Sequence, residues 1–413
     1  MDSAVVGGQA ELKAEPLSKD FKIFILSRNL LNQIAFSTFY LVVAWFVISL
    51  TGSPFYTGVA DTFLSLPLAF SFLTGALVNS MRAKRRILIV GTLLSGLASL
   101  ILLISLLKIS LLLILLPAYL ACGLLAIFQD ISGAAGGYFG RALLTDPQVK
   151  RGTMVSRITS STARITGMML SGILLVLSFY YAIYFVSVIF VASAAVFAFT
   201  DYRDPKAGSG EREKVDLGSG IRFMFGNAFF REVTISAIAV NFFFGMFGTA
   251  MAILVKAYFD LPAYYYSVIL AMEVVGDIIG SVATVKLKTA VGKMFSPILS
   301  AVGALVVMMF VSAYRFLYWP IPVLMFVVGF LLGILNVILS GIFLKATPKE
   351  KAAAIGGTAT TLFMGATVAS GSVIGILMQY INAPEAIGIV GIVTVIVGAY
   401  SFFGFKNIRK AEL

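Results

Sequence analysis

Twelve long hydrophobic runs alternate with short polar connections along the chain. The first six runs cover residues 21–50, 55–81, 87–107, 111–144, 152–179 and 180–200. The next six cover residues 221–259, 264–290, 294–314, 317–346, 352–381 and 385–405. Each run reaches about the 20 residues that an α-helix needs to cross a bilayer. The pattern predicts an all-α integral membrane protein with twelve transmembrane helices.

One long polar segment, rich in Gly, Ser and both signs of charge, interrupts this pattern near the middle of the chain and predicts a linker. The predicted organisation is a tail, a six-helix bundle, the linker, a second six-helix bundle and a tail, at residues 1–20, 21–200, 201–220, 221–405 and 406–413. The halves resemble each other weakly, for example at Asn32 and Asn241. We therefore expect a 6+6 pseudo-repeat, which many secondary transporters use.

Composition supports the membrane assignment, because 59% of residues are hydrophobic and 12% are charged, about half the charge of an ordinary soluble domain. The net charge of +12 is expected to reflect cytoplasmic loops and not nucleic-acid binding. When alternate loops are assigned to alternate sides, only Lys108, Lys256 and Arg315 among the basic residues fall outside. We expect a multi-pass plasma-membrane protein with both termini and the linker in the cytoplasm.

The chain is poor in the residues that disulfides, metal centres and hydrolytic sites require. Cys122 is the only cysteine and the chain has no His, so neither a disulfide framework, a Cys-based metal cluster nor a Ser/His/Asp site is expected. The sequence also lacks the G-x-x-x-x-G-K-[ST] phosphate-binding loop. We therefore expect no enzyme, cofactor or metal, and any proton coupling has to use carboxylates.

A motif after the second run carries a family resemblance. The stretch Gly75-Ala-Leu-Val-Asn79-Ser-Met-Arg82-Ala-Lys-Arg-Arg86 is similar to the G-x-x-x-D-R-x-x-R-R motif of the major facilitator superfamily, with Asn79 at the Asp position. The resemblance implies a major facilitator fold and a cytoplasmic gate formed by Gly75, Asn79, Arg82, Arg86 and Asp130. We expect Asp130 to pair with Arg82 or Arg141.

Two further stretches resemble the drug and siderophore exporter branch of that superfamily. They are WFVISLTGSPFYTG at residues 45–58, followed by Leu66-Pro67, and Gly167-Met-Met-Leu-Ser-Gly172, which keeps the flanking glycines of an antiporter motif without its proline. The resemblance implies alternating access by two rocking bundles. It also implies that helices one, four, seven and ten line the cavity and that helices five and eight face each other.

Three charges lie deep in the hydrophobic runs, where an ionised side chain needs a partner or water. Arg164 lies ~18 Å into the fifth run, and Glu273 and Asp277 lie ~14 and ~20 Å into the eighth. The two carboxylates are four residues apart on one helix face, so both cannot ionise cheaply without a cation. We hypothesise an ionic switch in which proton uptake breaks a pair with Arg164. A permanent structural salt bridge is the alternative.

Other polar residues are candidates for the ion path or the substrate cavity. Asp61, ~9 Å from the outer end of the second run, is a candidate for proton entry, for capping the outer gate or for pairing with Lys256. Arg28 is expected to extend towards the cytoplasmic interface. The expected cavity residues, besides Arg164, are Asn32, Gln33, Asn241 and Phe244.

The sequence therefore predicts a secondary active transporter, with a small-molecule substrate, the bilayer and protons as partners, that acts as a monomer. Proton-coupled export of a small amphipathic or drug-like compound is the first expectation. The alternative is a uniporter or symporter of a small polar or anionic solute, whose negative charge Arg164 would bind. From other classes, a lipid flippase or scramblase and a membrane scaffold remain open.

Overall fold

The computed structural model describes residues 16–81, 83–201, 217–284, 291–348 and 352–410, and in these ranges the chain is helical and without strands. Twelve helices are long and apolar enough to cross a membrane. The first six, α1 to α6, are Lys19–Thr51, Pro54–Val78, Lys84–Ser105, Leu111–Ala142, Arg151–Leu177 and Phe179–Ala198. The next six, α7 to α12, are Ala228–Tyr258, Ala263–Thr284, Gly292–Tyr314, Ile321–Ala346, Thr358–Tyr380 and Ala383–Gly404. The predicted fold class is confirmed.

The same helix pairs recur in the two halves of the chain. In the first half, α3 packs on α4 and α6, and α1 packs on α5. In the second half, α9 packs on α10 and α12, and α7 packs on α11. The main contacts between the halves are those of α2 with α11 and of α5 with α8. The chain therefore forms two six-helix bundles that meet along two helix seams.

Several membrane helices depart from α-helical geometry. Residues Ile25–Asn32 of α1 and Leu254–Tyr258 of α7 are π-helical, and Leu66–Phe70 of α2 is a 3₁₀ segment. Pro67 lies in that 3₁₀ segment, where its missing N–H interrupts the α-helical hydrogen bonds. The π-helical turns of α1 change the direction of the polar side chains that follow Ile25.

The seventh hydrophobic run, predicted as one helix over 221–259, is divided in two. A short helix, Leu217–Gly226, precedes α7, and the side chain of Asn227 accepts hydrogen bonds from the backbone N–H groups of Phe229 and Phe230 at 3.0 and 3.4 Å. This N-cap restarts the helix. After α12, Lys406–Lys410 forms a further short helix within the predicted tail.

The bundles pack closely at one end of the molecule. We call one end the terminal end, where the Lys19 Nζ atom lies 3.5 Å from the Asp201 Oδ2 atom. We call the opposite end, where α1 ends at Thr51, the distal end. Towards the distal end, the Trp45 ring of α1 stacks on the Tyr266 ring of α8, with centroids 6.0 Å apart. All residues of α1 from 41 to 48 are buried, whereas residues 28–31 are only partly buried. The contact between the bundles is therefore tightest in the distal half.

Glycines allow the backbones of α2 and α11 to touch at this end. A Cβ on Gly58 would overlap the Gly371 carbonyl and lie 3.1 Å from the Gly375 Cα atom. Close by, the Thr62 hydroxyl donates to the Val368 carbonyl at 2.9 Å, and the Ser53 hydroxyl donates to the Gln379 amide oxygen at 3.0 Å. Small residues have this role in membranes because packing, and not water exclusion, holds helices together.

We expect Gly58→Ala to loosen the distal seam, because its methyl group cannot fit against Gly371. Overpacking of this kind costs ~1–3 kcal/mol, which would open the seam about 5-fold or more. The measurement is the labelling rate of Ser53→Cys by an impermeant maleimide, in a Cys122→Ser background. The control is Gly137→Ala, where a Cβ would meet nothing within 4 Å. Unchanged labelling of Gly58→Ala at an unchanged melting temperature would contradict the prediction.

Candidate substrate and ion site

A central cavity of about 250 Å³ lies between the two bundles. The first bundle contributes α1 and α5, and the second contributes α7 and α8. The lining residues are Gln33, Phe36, Ser37, Tyr40, Arg164, Met168, Phe244, Phe247, Gly248, Leu270 and Glu273. Gln33, Arg164 and Phe244, which the sequence suggested as cavity residues, therefore share one chamber with Glu273.

Arg164 and Glu273 reach this cavity from opposite bundles. The ion pairs within 4.0 Å among the described residues are Lys19–Asp201, Arg141–Asp146 and Lys256–Asp260, so Arg164 is not in direct contact with a carboxylate. The Arg164 charge instead acts on Glu273 through space. The expected salt bridge is not formed in this conformation, and both groups line the same chamber.

Asp277 lies one helical turn beyond Glu273 and does not line the central cavity. Its backbone packs on α10, where a Cβ on Gly333 would lie 2.9 Å from the Asp277 carbonyl carbon. The two carboxylates still influence each other electrostatically. Of the predicted pair, Glu273 is therefore the carboxylate positioned to meet a ligand.

Asp61 lies in the seam between the bundles. Its side chain is 6% exposed and rests on Gly371 of α11, where a Cβ would lie 2.9 Å from the Asp61 Cγ atom. The buried hydroxyl of Thr249 of α7 lies beside it. In the described part of the chain, Asp61 makes no ion pair.

Lys256 does not pair with Asp61, which corrects one expectation. The Lys256 amine donates to Asp260 at 2.8 Å, four residues further along the chain and after the π-helical end of α7. This hydrogen bond lowers the pKa of the exposed Asp260 carboxyl. Asp260 is the partner because it lies only four residues along the chain from Lys256, whereas Asp61 belongs to another helix, α2.

Tyr40 lies near these charged groups and is not among the residues predicted from the sequence. It lies within electrostatic range of Asp61, Glu273 and Arg164, and its ring packs on Gly248, where a Cβ would lie 3.0 Å from the Tyr40 Cζ atom. Tyr40 is the only tyrosine of the first hydrophobic run, which is the signal that could have identified it. Its hydroxyl can both donate and accept a hydrogen bond.

Aromatic rings form the apolar wall of the central cavity. Phe244 and Phe247 stack with centroids 5.6 Å apart at an interplanar angle of 26°, and Phe36 lines the cavity from α1. Asn241, expected in the cavity, lines neither this chamber nor the second one described below. Its amide donates at 2.8 Å to the Ala237 carbonyl of its own helix. The chamber therefore combines stacked rings with two opposite charges.

A second cavity of about 430 Å³ lies within the first bundle, between α1, α2 and α4. It shares Gln33 and Phe36 with the central cavity. The remaining lining residues are Arg28, Asn32, Leu64, Pro67, Leu68, Ser71, Thr74, Gly75, Ala126, Gln129, Asp130, Gly133 and Ala134. The shared residues make this cavity a neighbour of the central one.

Gln129 organises the polar wall of the second cavity. Its amide oxygen accepts from Arg28 Nη1 at 3.1 Å and from Asn32 Nδ2 at 2.9 Å. Its amide nitrogen donates to the Ser95 hydroxyl at 2.9 Å and to Asn32 Oδ1 at 3.3 Å. Gln129 is not among the residues predicted from the sequence, although an amide within a long hydrophobic helix is a signal. Arg28, expected to extend to the interface, instead lies along α4.

The predicted gate residues are spread out. Gly75 and Asp130 line the second cavity, and Asp130 accepts a hydrogen bond from Thr74. The expected pairing of Asp130 with Arg141 is not formed, because Arg141 binds Asp146. Arg86 is exposed, whereas Arg82 and the side chain of Asn79 lie outside the described residues.

Solved transporter structures share this fold. The nucleoside transporter NupG has a TM-score of 0.71 at 12% identity, covering 96% of this chain and 100% of that chain. A structure from the proton dependent oligopeptide transporters has a TM-score of 0.72 at 10% identity, covering 94% and 98%. A bacterial homologue of the iron transporter ferroportin, in its inward-facing state, has a TM-score of 0.67 at 13% identity, covering 93% and 99%.

No curated protein matches the chain by sequence. The family model described as Major Facilitator Superfamily matches residues 26–371, which is most of the chain and includes both cavities. Together with the twelve membrane helices in two bundles, this match shows that the chain belongs to the Major Facilitator Superfamily of transporters.

Proposed function

We propose that the protein transports a small polar solute through the central cavity by alternating access of its two bundles. The observation that carries this proposal is that Arg164 and Glu273 reach the cavity from opposite bundles without direct contact. A solute bound between them would touch both bundles. Its binding would therefore depend on how far apart the bundles stand.

The fixed charges favour a polar solute over the amphipathic drug that the sequence first suggested. An ionised side chain in a low-dielectric site is costly unless a ligand or water compensates it, so a purely apolar substrate would leave both charges uncompensated. Structural neighbours include a nucleoside transporter and a structure from the oligopeptide transporters, which supports the polar-solute alternative. Drug export is therefore not the function we propose.

The lining indicates which groups the solute carries. Gln33, Ser37 and Tyr40 offer hydrogen bonds from α1, while Arg164 suits an anionic group and Glu273 suits a cationic or N–H group. The stacked rings of Phe244 and Phe247 suit a flat or apolar part of the solute. A zwitterion fits the two charged groups, and a hydrogen-bonding heterocycle fits the polar groups of α1 and the stacked rings.

The charge distribution supports an orientation with the terminal end in the cytoplasm of a plasma-membrane protein, because basic residues concentrate at that end. In this orientation the tightly packed distal end faces outwards, so the conformation is inward-facing. The cavities then lie on the cytoplasmic side of the contact between Trp45 and Tyr266. Transport requires that this distal contact opens while the terminal half closes.

We further propose that protons are the coupling ion and that Asp61 and Glu273 carry them, with Asp277 modulating Glu273. Asp61 lies where α2 meets α11, so opening of the distal seam would bring its carboxylate to water. Tyr40 lies within electrostatic range of both Asp61 and Glu273, and its hydroxyl can donate and accept hydrogen bonds. Proton uptake at either carboxylate would then change the charge that Arg164 faces.

We expect Arg164→Gln and Glu273→Gln to reduce transport of the cognate solute at least ~10-fold, because each loses a charge-assisted hydrogen bond worth about 1.5–3 kcal/mol. The measurement is solute-evoked current or radiotracer uptake in proteoliposomes, with a panel of nucleosides, dipeptides, amino acids and cationic dyes. Glu385→Gln, at an exposed carboxylate near the start of α12, is the control. Dye transport that both cavity variants retain would overturn the polar-solute proposal.

We expect Asp61→Asn to separate exchange from accumulation, because an amide cannot release a proton. Solute counterflow should persist, whereas accumulation driven by a pH gradient should fall to the equilibrium level. A pH-sensitive dye inside the same vesicles reports the proton flux. Asp260→Asn, at an exposed carboxylate in the loop after α7, serves as the control. Full gradient-driven accumulation by Asp61→Asn would refute this role, and wild-type uptake without accumulation would indicate uniport.

A further inference from the structure

We propose that the second cavity is a separate binding site for a soluble anion, with Arg28 as its principal ligand. The site would take a carboxylate or a phosphate group of a small solute. The inference rests on the proposed function in one respect, namely that the two adjoining cavities serve one solute path. It adds a substrate class, because a site of this kind selects solutes that carry a negative charge.

Arg28 has more hydrogen-bonding capacity than the protein uses. A guanidinium carries five N–H donors, and the hydrogen bond found for Arg28 is the one from Nη1 to Gln129 Oε1. No carboxylate oxygen lies within 4.0 Å of it in the described ranges. The side chain lines a cavity of about 430 Å³. The remaining donors and the uncompensated charge are what a carboxylate or phosphate would satisfy.

The surrounding residues hold Arg28 in place, so the charge is fixed and not free to reach the membrane surface. A Cβ on Gly133 would lie 3.2 Å from Arg28 Nη2, and a Cβ on Gly136 would lie 3.2 Å from Nε. The two glycines therefore leave the surface of α4 open for the guanidinium. Ser95 fixes the Gln129 amide from the other side, so its oxygen faces Arg28 and Asn32. Such a pre-positioned cation loses little entropy on binding.

Asp130 shares the cavity and adds a constraint on the ligand. Its carboxylate accepts a hydrogen bond from Thr74 and does not pair with Arg28. A second acceptor at this position disfavours a bare dianion and favours an anion that also carries an N–H or O–H donor. The class that fits both groups comprises amino acids, hydroxycarboxylates and monoprotonated phosphates.

The position of the site relates it to the central cavity. Gln33 and Phe36 of α1 line both chambers, so a solute that leaves Arg28 meets the central cavity next. Each chamber holds one arginine, Arg28 in the second cavity and Arg164 in the central one. A solute that passes between the two chambers therefore meets a guanidinium in each.

Binding is tested on the full-length protein in phosphatidylcholine nanodiscs, with inorganic phosphate and with lactate as probes. The readout is the melting temperature as a function of anion concentration, against sodium chloride at equal ionic strength. We expect both probes to stabilise the wild type. Arg28→Gln should weaken their apparent affinity about 10-fold or more, and Arg28→Lys should weaken it less. Arg231→Gln, at an exposed arginine of α7, should match the wild type. Unchanged affinity in Arg28→Gln would overturn the proposal.

A second measurement leaves Arg28 intact, in case its replacement prevents folding. Ser71→Cys, in the Cys122→Ser background, introduces a thiol in the cavity lining. We expect saturating phosphate to slow its modification by a methanethiosulfonate reagent at least 5-fold. Protection by chloride to the same extent would refute a specific anion site. Protection only in phosphatidylglycerol nanodiscs, without added phosphate, would identify a lipid headgroup as the occupant and refute the soluble anion.

Failure of this proposal and failure of the proposed function give different results. Loss of transport in Arg164→Gln, together with unaltered anion binding in Arg28→Gln, would leave central-cavity transport standing without an Arg28 site. Anion binding that depends on Arg28, together with full transport in Arg164→Gln and Glu273→Gln, would leave the Arg28 site standing and reject the central cavity as the transport site.

Discussion

A charge that leaves water must find a partner or a wet surface, and this constraint shapes the interior of the protein. Arg28, Arg164 and Glu273 all lie within membrane helices, and each lines a cavity. Where a partner exists it is an amide, as Gln129 is for Arg28. Each cavity therefore gives a charged side chain the contact with water or a ligand that it needs to stay ionised inside the membrane.

The distal seam obeys a second constraint, since lipid offers no hydrophobic drive for helix association. Contact there depends on shape, with Gly58 and Gly371 allowing two backbones to meet and Gly172 doing the same beside Tyr264. Asp61 lies at the centre of this close contact. A carboxylate placed in a seam of small residues gains or loses water with very small movements, so its hydration depends on how closely the two helices pack.

Sequence reasoning reached the architecture because hydropathy alone decides which segments cross a bilayer. The fourth run, predicted at 111–144, is Leu111–Ala142 in the structure. Depth along a helix also predicted that Arg164 and Glu273 lie at one level, and both line the same chamber. Gln129 and Tyr40 stand out as polar groups in hydrophobic runs, but their roles depend on neighbours from other helices, which the sequence does not give. The partner of Lys256 differs, because Asp260 lies four residues along the chain and that spacing is visible in the sequence.

The stack of Trp45 on Tyr266 has a consequence of another kind. The chain contains two tryptophans, and Trp45 is one of them, buried where the two bundles touch. The other, Trp319, is largely exposed in the loop before α10. Separation of the bundles would move an indole ring from an aromatic neighbour into water. The protein thus carries an intrinsic fluorophore at the contact between its bundles, and with Trp319 replaced its emission would report their separation.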